Sequence, residues 1–267
     1  MKRFSVLITI LILLIAAAGG IFYVRHEQRL HQPQQIGVSP SVQDLLEPTH
    51  PKPKPETTAP LSPSQPTVST KTETIPAKAF VRVPFIVQAP FSDWAEPYQD
   101  ACEEASVLMV HHFYLGTPQV SKDQAKAEID AMTTWGMKVF ASSDTTVAQT
   151  VKYFTDDLGY DEKRVVVVYD QTIDDMKAIL AKGYPVIVPA AGRELGNKNF
   201  HVPGPLYHML VLVGYDGDQI ITNDPGTRNG EGFRYNQNVL YAAIHDLTPD
   251  KEQITTGRKA MIVVKPL

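Results

Sequence analysis

The sequence contains a single cysteine, and this scarcity is the first constraint on what the chain can be. One thiol cannot form an intrachain disulfide, so a disulfide-stabilised scaffold is excluded. The chain also lacks an HExxH motif and any pair of cysteines that could hold zinc. We therefore expect no cofactor and no metal. A metal shared by His201, His208 and Asp224 is the alternative that the sequence leaves open.

Basic residues are scarce in the C-terminal part of the chain. Residues 79–267 carry 17 Lys and Arg against 24 Asp and Glu, whereas residues 1–78 carry 8 against 5. An acidic domain without a basic stripe argues against a nucleic-acid partner. Internal sequence repeats are also absent.

Charged side chains are missing altogether from residues 4–24. A helix of this length can cross the hydrocarbon core of a bilayer. A cleaved signal peptide is the alternative, since the alanines at 16–18 would suit a cleavage site. The apolar run continues past these alanines, so we expect residues 1–31 to form an uncleaved membrane anchor. Either interpretation places the rest of the chain outside the cytoplasm, secreted if the segment is cleaved.

A proline-rich segment follows at residues 32–78 and holds 10 of the 21 prolines. It has few large apolar residues and cannot bury enough surface to offset its chain entropy. We expect a disordered, extended linker that holds the next domain away from the membrane, for example through a bacterial cell wall.

Residues 79–267 are long enough for one folded domain, which we expect to be monomeric. Helices are predicted at 102–114, 121–133, 144–158 and 237–247, with another that begins after Thr172 and ends at Gly183. Strands are predicted at 81–87, 164–169, 184–190, 207–215, 219–223 and 259–265. Because helices cluster early and strands late, the sequence predicts an α+β fold.

Cys102 lies where a loop becomes a helix. The partial positive charge at a helix N-terminus favours thiolate over thiol, so the position suits a nucleophile. A cysteine buried only for packing is the alternative. An unpaired thiol outside the cytoplasm favours the reactive interpretation. So do Glu103 and Glu104, which suit a helix start better than a core.

A thiol nucleophile needs a base, and the base needs an orienting acceptor. His208 opens a strand that is apolar on both faces, and a hairpin turn near residue 216 would bring Asp224 back roughly opposite it, within a residue or two. A plain turn is the alternative for Asp224. His111 and His112 point away from the thiol on the predicted helix and are interpreted as structural.

An oxyanion formed by thiolate attack needs preorganised donors. The backbone N–H of Cys102 is one candidate. Gln88, at the end of a predicted strand, is favoured as the side-chain donor, and Gln99 is the alternative although it lies only three residues before the cysteine.

The segments VPFIVQAP at 83–90, ACEEASVLM at 101–109, YHMLVLVGYD at 207–216 and NDPG at 223–226 resemble the C39-like cysteine peptidases. These are papain-like relatives of the peptidases that process bacteriocins after double-glycine leaders. The resemblance covers residues 80–267 and implies N-terminal helices packed on an antiparallel sheet. It also implies that Cys102 is the nucleophile, His208 the base, Asp224 the orienting residue and Gln88 the oxyanion donor.

One position departs from the family pattern. Many members have glycine after the nucleophile, whereas this chain has Glu103, whose charge could raise the pKa of the thiol. No transporter segment or nucleotide-binding domain follows, so leader processing coupled to export is not supported.

The expected function is a membrane-anchored, extracytoplasmic cysteine peptidase that cleaves peptides or proteins through a thioester acyl-enzyme. A cell-wall amidase or acyltransferase with the same triad, or a catalytically silent surface binding domain, are the alternatives.

Overall fold

The computed structural model describes residues 42–46 and 75–266. The predicted membrane helix at 4–24 lies outside the described residues, as does most of the predicted linker at 32–78. No helix within the described ranges combines the length and the apolar character that a bilayer crossing needs.

A seven-stranded antiparallel sheet forms the centre of the domain. The strands are β1 (Lys78–Phe80), β2 (Val165–Tyr169), β3 (Val186–Ala191), β4 (Tyr207–Asp216), β5 (Gln219–Asn223), β6 (Phe233–Asn236) and β7 (Ala260–Val264). Their spatial order is β2-β7-β3-β4-β5-β6, and β1 pairs with the C-terminal end of β4.

Helices precede and interrupt the strands. They are α1 (Val42–Leu46), α2 (Cys102–Tyr114), α3 (Lys122–Phe140), α4 (Val147–Lys152), α5 (Ile173–Ala181) and α6 (Gln237–Ala243). Thr172 caps α5 in a reciprocal capping box with Asp175, as its sequence predicts. The prediction of an α+β fold with an antiparallel sheet is confirmed.

Strand β4 positions the rest of the domain. Helices α2 and α5 both pack against it, and its first nine residues are buried. Unbroken burial explains why its sequence shows no polar alternation. The tight turn between β4 and β5 contains Gly217, whose φ of 59° favours glycine.

The strand predicted at 81–87 is wrong. The regular strand β1 ends at Phe80, and the chain beyond it is held by single hydrogen bonds. Val81 N–H donates to the Val213 carbonyl at 2.7 Å, and the Asn223 side chain donates to the Val83 carbonyl at 3.1 Å. Pro84 has no N–H to donate to a neighbouring strand, so a regular ladder cannot continue through it. The side chains of this segment still alternate between buried and more exposed positions, which is the pattern that predicted a strand.

Three helix predictions needed correction. The helix predicted at 237–247 ends at Ala243, where Ile244 turns to an extended conformation. Helix α3 runs past the predicted end at residue 133 to Phe140 and stops where Ala141 adopts a left-handed conformation. The helix predicted at 144–158 begins later, after the Thr146 cap, and α4 gives way to a π-turn at Tyr153–Asp157. Strand β6 was not predicted, because its four residues, FRYN, are too short for a periodic pattern.

The predicted linker contains one element that contradicts full disorder. Helix α1 lies inside residues 32–78, and its Leu45 is only 3% exposed. Helix α1 packs against α5, so this short apolar stretch belongs to the domain. Its five residues are too few to alter the composition on which the disorder prediction was based.

Candidate active site

Cys102 is the first residue of α2 and is buried, with 4% of its surface exposed. The preceding residue, Ala101, offers no side-chain cap to the helix. The first backbone N–H groups of a helix have no intrahelical acceptor. Cys102 is therefore part of the turn that carries these donors. Burial raises the pKa of the thiol, and a backbone hydrogen bond from Met209, the residue after His208, has the smaller effect of lowering it.

The two glutamates after the cysteine are buried, which contradicts the expected exposed helix start. Glu103 is 0% exposed and Glu104 is 2% exposed. The physical reason is that α2 packs against β4 from its first turn, and neighbouring segments supply hydrogen bonds. Glu103 Oε1 accepts from Thr145 N–H at 2.8 Å, and Glu104 Oε1 accepts from the Tyr153 hydroxyl at 2.6 Å.

Burial changes the acidity of all three groups. It raises the pKa of Glu103 to about 8 and the pKa of Glu104 to about 7. Burial, followed by the charge of Glu103, also raises the pKa of the Cys102 thiol well above its usual value. The direction is opposite to the one expected from the helix N-terminus alone, because the thiol is buried beside the Glu103 carboxyl.

The buried glutamates predict a pH-dependent stability. Both bind a proton more tightly in the folded chain than in the unfolded chain, where the pKa is near 4.5. Their contribution to folding is therefore complete below about pH 4.5 and is lost as the pH rises through 7 and 8. We expect the free energy of unfolding to fall by about 2 kcal/mol or more between pH 5 and pH 8. Urea unfolding at several pH values measures this.

The control for that prediction is a chain with both Glu103→Gln and Glu104→Gln. Neither glutamine can ionise, so most of the pH dependence should disappear. An unchanged slope in the double variant would show that other groups cause it.

His208 and Asp224 lie together. His208 Nε2 is 2.8 Å from Asp224 Oδ1, and both side chains are buried. The strand register lies within the expected two residues. Strand β5 pairs Asn223 with Val211, so the next residue, Asp224, is two positions from direct opposition to His208. Asp224 reaches the imidazole from the turn after β5.

Asp224 accepts four hydrogen bonds. His208 and the Gly226 N–H donate to Oδ1, the latter at 3.0 Å. The Tyr235 hydroxyl at 2.6 Å and the Asn197 amide at 3.0 Å donate to Oδ2. Burial opposes ionisation of this carboxyl, but the attraction of His208 and the donated bonds outweigh it and hold its pKa below the usual value.

Packing fixes the His208 ring. The Phe200 ring meets it edge-on, with 5.3 Å between ring centroids. A Cβ atom at Gly226 would lie 2.9 Å from His208 Cε1, which is too close, so glycine is needed here. Since Nε2 faces Asp224, Nδ1 is the ring nitrogen left for the thiol. In the described part of the chain no hydrogen bond joins Cys102 to His208, and the thiol instead contacts Glu103 Oε2 at 2.9 Å.

Gln88 lies beside this group with its amide engaged. Its Nε2 donates to the carbonyls of Tyr98, at 3.0 Å, and Gln99, at 2.8 Å. Its Oε1 is buried without a hydrogen-bond partner. The Gln88 backbone N–H donates to the Pro225 carbonyl at 3.0 Å, which ties this residue to the turn that carries Asp224. The side chain of Gln99 instead donates to Glu96 at the surface.

A cleft of about 590 Å³ opens over the site. Cys102 and His208 both line it. The remaining wall residues come from the loops on either side, including Gln88, Trp94, Gln99, Asp100, Asp144, 199–205, Tyr207 and 226–229. The cleft is large enough for a short peptide segment.

The other predicted residues lie elsewhere or lack the expected geometry. His111 and His112 hydrogen bond to Tyr160 and Glu128, consistent with structural roles. No group of His, Cys, Asp and Glu side chains in the described ranges is arranged to hold a metal. His201 lies on the cleft wall and is exposed.

Sequence reasoning missed Asn197 and Tyr235. The two side chains hydrogen bond to each other at 2.7 Å as well as to Asp224. Tyr235 belongs to the unpredicted strand β6, and Asn197 lies in a loop rich in polar residues. Neither position carries a motif, so only the folded chain reveals them.

A family model described as Peptidase_C39 like family matches residues 80–246, which is more than half of the chain. Two solved structures are distantly similar. One is described as a C39-like peptidase from Bacillus anthracis, with 17% identity, a TM-score of 0.46, and coverage of 70% of this chain and 98% of the other. The second is xylellain, a cysteine protease from Xylella fastidiosa, with 15% identity, a TM-score of 0.42, and coverage of 73% and 87%. No curated protein matches the chain.

Proposed function

Because the chain belongs to the Peptidase_C39 like family and is a cysteine peptidase, we propose that Cys102, His208 and Asp224 form its catalytic triad. The observation that carries this proposal is the buried pair of His208 and Asp224, because His208 lines the same cleft as the chain's only cysteine. In this arrangement the Asp224 carboxylate fixes the imidazole tautomer, with a proton on Nε2 and Nδ1 directed to the thiol.

The reaction then has two steps. Cys102 transfers its proton to His208 Nδ1 and attacks the carbonyl carbon of the scissile amide, forming a C–S bond. The C–N bond breaks as His208 returns the proton to the leaving amine. Water, deprotonated by His208, then hydrolyses the thioester and restores the thiol.

The first step also needs the His208 ring and the thiol to come into contact. In the free chain Sγ contacts Glu103 instead. Catalytic hydrogen bonds are often absent before substrate binds, and rotation of one side-chain torsion redirects a thiol. Productive binding is therefore proposed to bring Sγ and the His208 ring into contact.

Gln88 and the Cys102 backbone N–H are the proposed oxyanion donors. Gln88 is supported by its place on the cleft wall and its link to the Asp224 turn. Both of its amide hydrogens are donated to carbonyls in the free chain, so the oxyanion must compete for one of them. A charged oxyanion accepts a stronger hydrogen bond than a neutral carbonyl, which favours that exchange.

The proposed setting is the outer face of a bacterial membrane. Residues 4–24 would anchor the chain and the proline-rich segment would extend the domain outwards, where its substrate would be a peptide or protein. The proposed catalytic unit is a monomer, since all of the triad residues come from one chain.

A peptide mixture and soluble peptidoglycan fragments, incubated separately with the full chain in detergent, test the substrate class. Cleavage of peptides supports the proposal. Exclusive cleavage or acyl transfer on peptidoglycan fragments would replace it with a cell-wall amidase or acyltransferase. Binding without turnover of either would favour a silent binding domain, for which the raised pKa of the Cys102 thiol is the motivating observation.

A further inference from the structure

We infer that Glu103 is a further catalytic residue, which works in its neutral form by donating a hydrogen bond to the Cys102 thiolate and prevents thiolate formation once it ionises. The inference rests on the proposed role of Cys102 as nucleophile. It assigns a chemical role to the residue by which the chain departs from the glycine common at this position.

The contact between the two side chains carries the inference. Glu103 Oε2 is 2.9 Å from Cys102 Sγ, and both groups are buried. The other carboxyl oxygen is fixed by the Thr145 backbone N–H at 2.8 Å, so the carboxyl cannot rotate away freely. Thr145 is itself held, because its carbonyl accepts from the Tyr207 hydroxyl at 2.8 Å.

The surroundings favour a neutral carboxyl. Glu103 interacts electrostatically with Glu104 on the same helix, with Tyr153 in the π-turn and with Tyr207 on β4. Burial and, further out, the charge of Asp100 raise the pKa of Glu104, and burial and the charge of Asp246 raise the pKa of Tyr207. Each of these groups is an acid, and no ion pair in the described part of the chain involves Glu103. His208, the base of the proposed triad, is paired with Asp224. Burial without a cation disfavours ionisation.

The proton positions follow from this chemistry. With Glu103 neutral, the thiol proton passes to His208 and the carboxyl O–H donates to the sulfur anion, so the pair holds one proton and one negative charge. With Glu103 ionised, its oxygen accepts the S–H instead, and a thiolate would place two anions 2.9 Å apart. The same contact is therefore favourable to catalysis in one protonation state and unfavourable in the other.

The expected consequence is an alkaline limb of peptidase activity that follows the ionisation of Glu103. Burial raises the pKa of this carboxyl to about 8. Activity should fall as the pH rises through this value, because thiolate formation is then opposed by the Glu103 charge.

Glu103→Gln is the direct test, and the single cysteine makes it clean, because any alkylation of the chain by iodoacetamide reports on Cys102 alone. Glutamine keeps a donor at the same place and cannot ionise. The midpoint of the alkylation rate against pH should fall by about one unit or more. The alkaline limb of peptidase activity should move to higher pH.

Glu104→Gln is the matched control, since Glu104 is equally buried on the same helix and bonds to Tyr153 instead of the sulfur. Its charge raises the pKa of Glu103. Its removal should therefore let Glu103 ionise at lower pH and move the alkaline limb downwards, opposite to Glu103→Gln. This shift also serves as the test if Glu103→Gln fails to fold.

The outcomes separate this inference from the proposed function. The role of Glu103 would be overturned if the alkylation midpoint of Glu103→Gln were unchanged or raised. It would also be overturned if the alkaline limb of activity moved equally and in the same direction in both variants. A lowered midpoint in a chain that cleaves no peptide would support the thiol–carboxyl pairing and overturn the peptidase assignment of the site.

Discussion

Replacing Cys102 with alanine should lower the rate of peptide hydrolysis by about 10⁴-fold or more, because the variant has no other thiol that could form the acyl-enzyme. The side chain lost is small and buried, so the cost to folding should stay near 1 kcal/mol. Steady-state hydrolysis of a fluorogenic peptide, with urea unfolding in parallel, measures both effects.

Ser106→Ala is the matched control for this variant. Ser106 lies one turn further along α2, is fully buried, and its hydroxyl has no hydrogen-bond partner. Removing that hydroxyl should leave activity within about twofold and should not destabilise the helix. Equal activity losses in the two variants would mean that the thiol has no special role.

Asp224→Asn should lower kcat by about 10³- to 10⁴-fold, because an amide cannot stabilise the His208 imidazolium or fix its tautomer as a carboxylate does. The substitution also replaces one carboxylate oxygen, which accepts hydrogen bonds, by an NH₂ group, which donates them. All four groups that contact Asp224 are donors, so at least one of them loses its acceptor. Each donor left without an acceptor costs about 1–3 kcal/mol, so the chain should unfold at lower urea concentration as well.

Two controls separate the loss of chemistry from the loss of stability. Tyr235→Phe removes one donor to Asp224 Oδ2 and leaves the carboxylate in place, so it should reduce activity far less than Asp224→Asn. Asp216→Asn changes an exposed aspartate at the β4–β5 hairpin and should have no effect. Full activity in a folded Asp224→Asn chain would remove Asp224 from the triad.

Much of the fold was predictable because the deciding signals are local. Helix α2 and strand β5 have the bounds that their residue patterns predict, and the turn at Gly217 lies where a hairpin was expected. The Asp175 capping box is equally local. Such features depend on residues a few positions apart, which the sequence displays directly.

The failures have the opposite origin. Segment 81–87 alternates like a strand, but its hydrogen bonds go to distant residues and Pro84 interrupts any ladder. The burial of Glu103 and Glu104 depends on Thr145 and Tyr153, which approach from a loop and a π-turn. Carboxylates at a helix start normally predict a solvent-exposed first turn. Here tertiary contacts, which the sequence does not display, bury that turn.

The site shows the same division. His208 and Asp224 could be paired from the hairpin alone to within two residues, although the contact is made from the turn after β5. The other hydrogen-bond partners of Asp224 could not be predicted, because Asn197 and Tyr235 reach it from separate segments of the chain. Residues whose function depends on an assembled network leave no pattern in the sequence.

The most direct test of the central claim is to trap the acyl-enzyme. The full chain in detergent would be mixed with an activated ester of a short peptide, quenched in acid, and analysed by mass spectrometry before and after hydroxylamine treatment. Cys102 as nucleophile predicts one acyl group per chain, carried by the tryptic fragment that contains Cys102 and removed by hydroxylamine as a thioester. Turnover of the ester by Cys102→Ala at the wild-type rate, or an acyl group on any other residue, would contradict it.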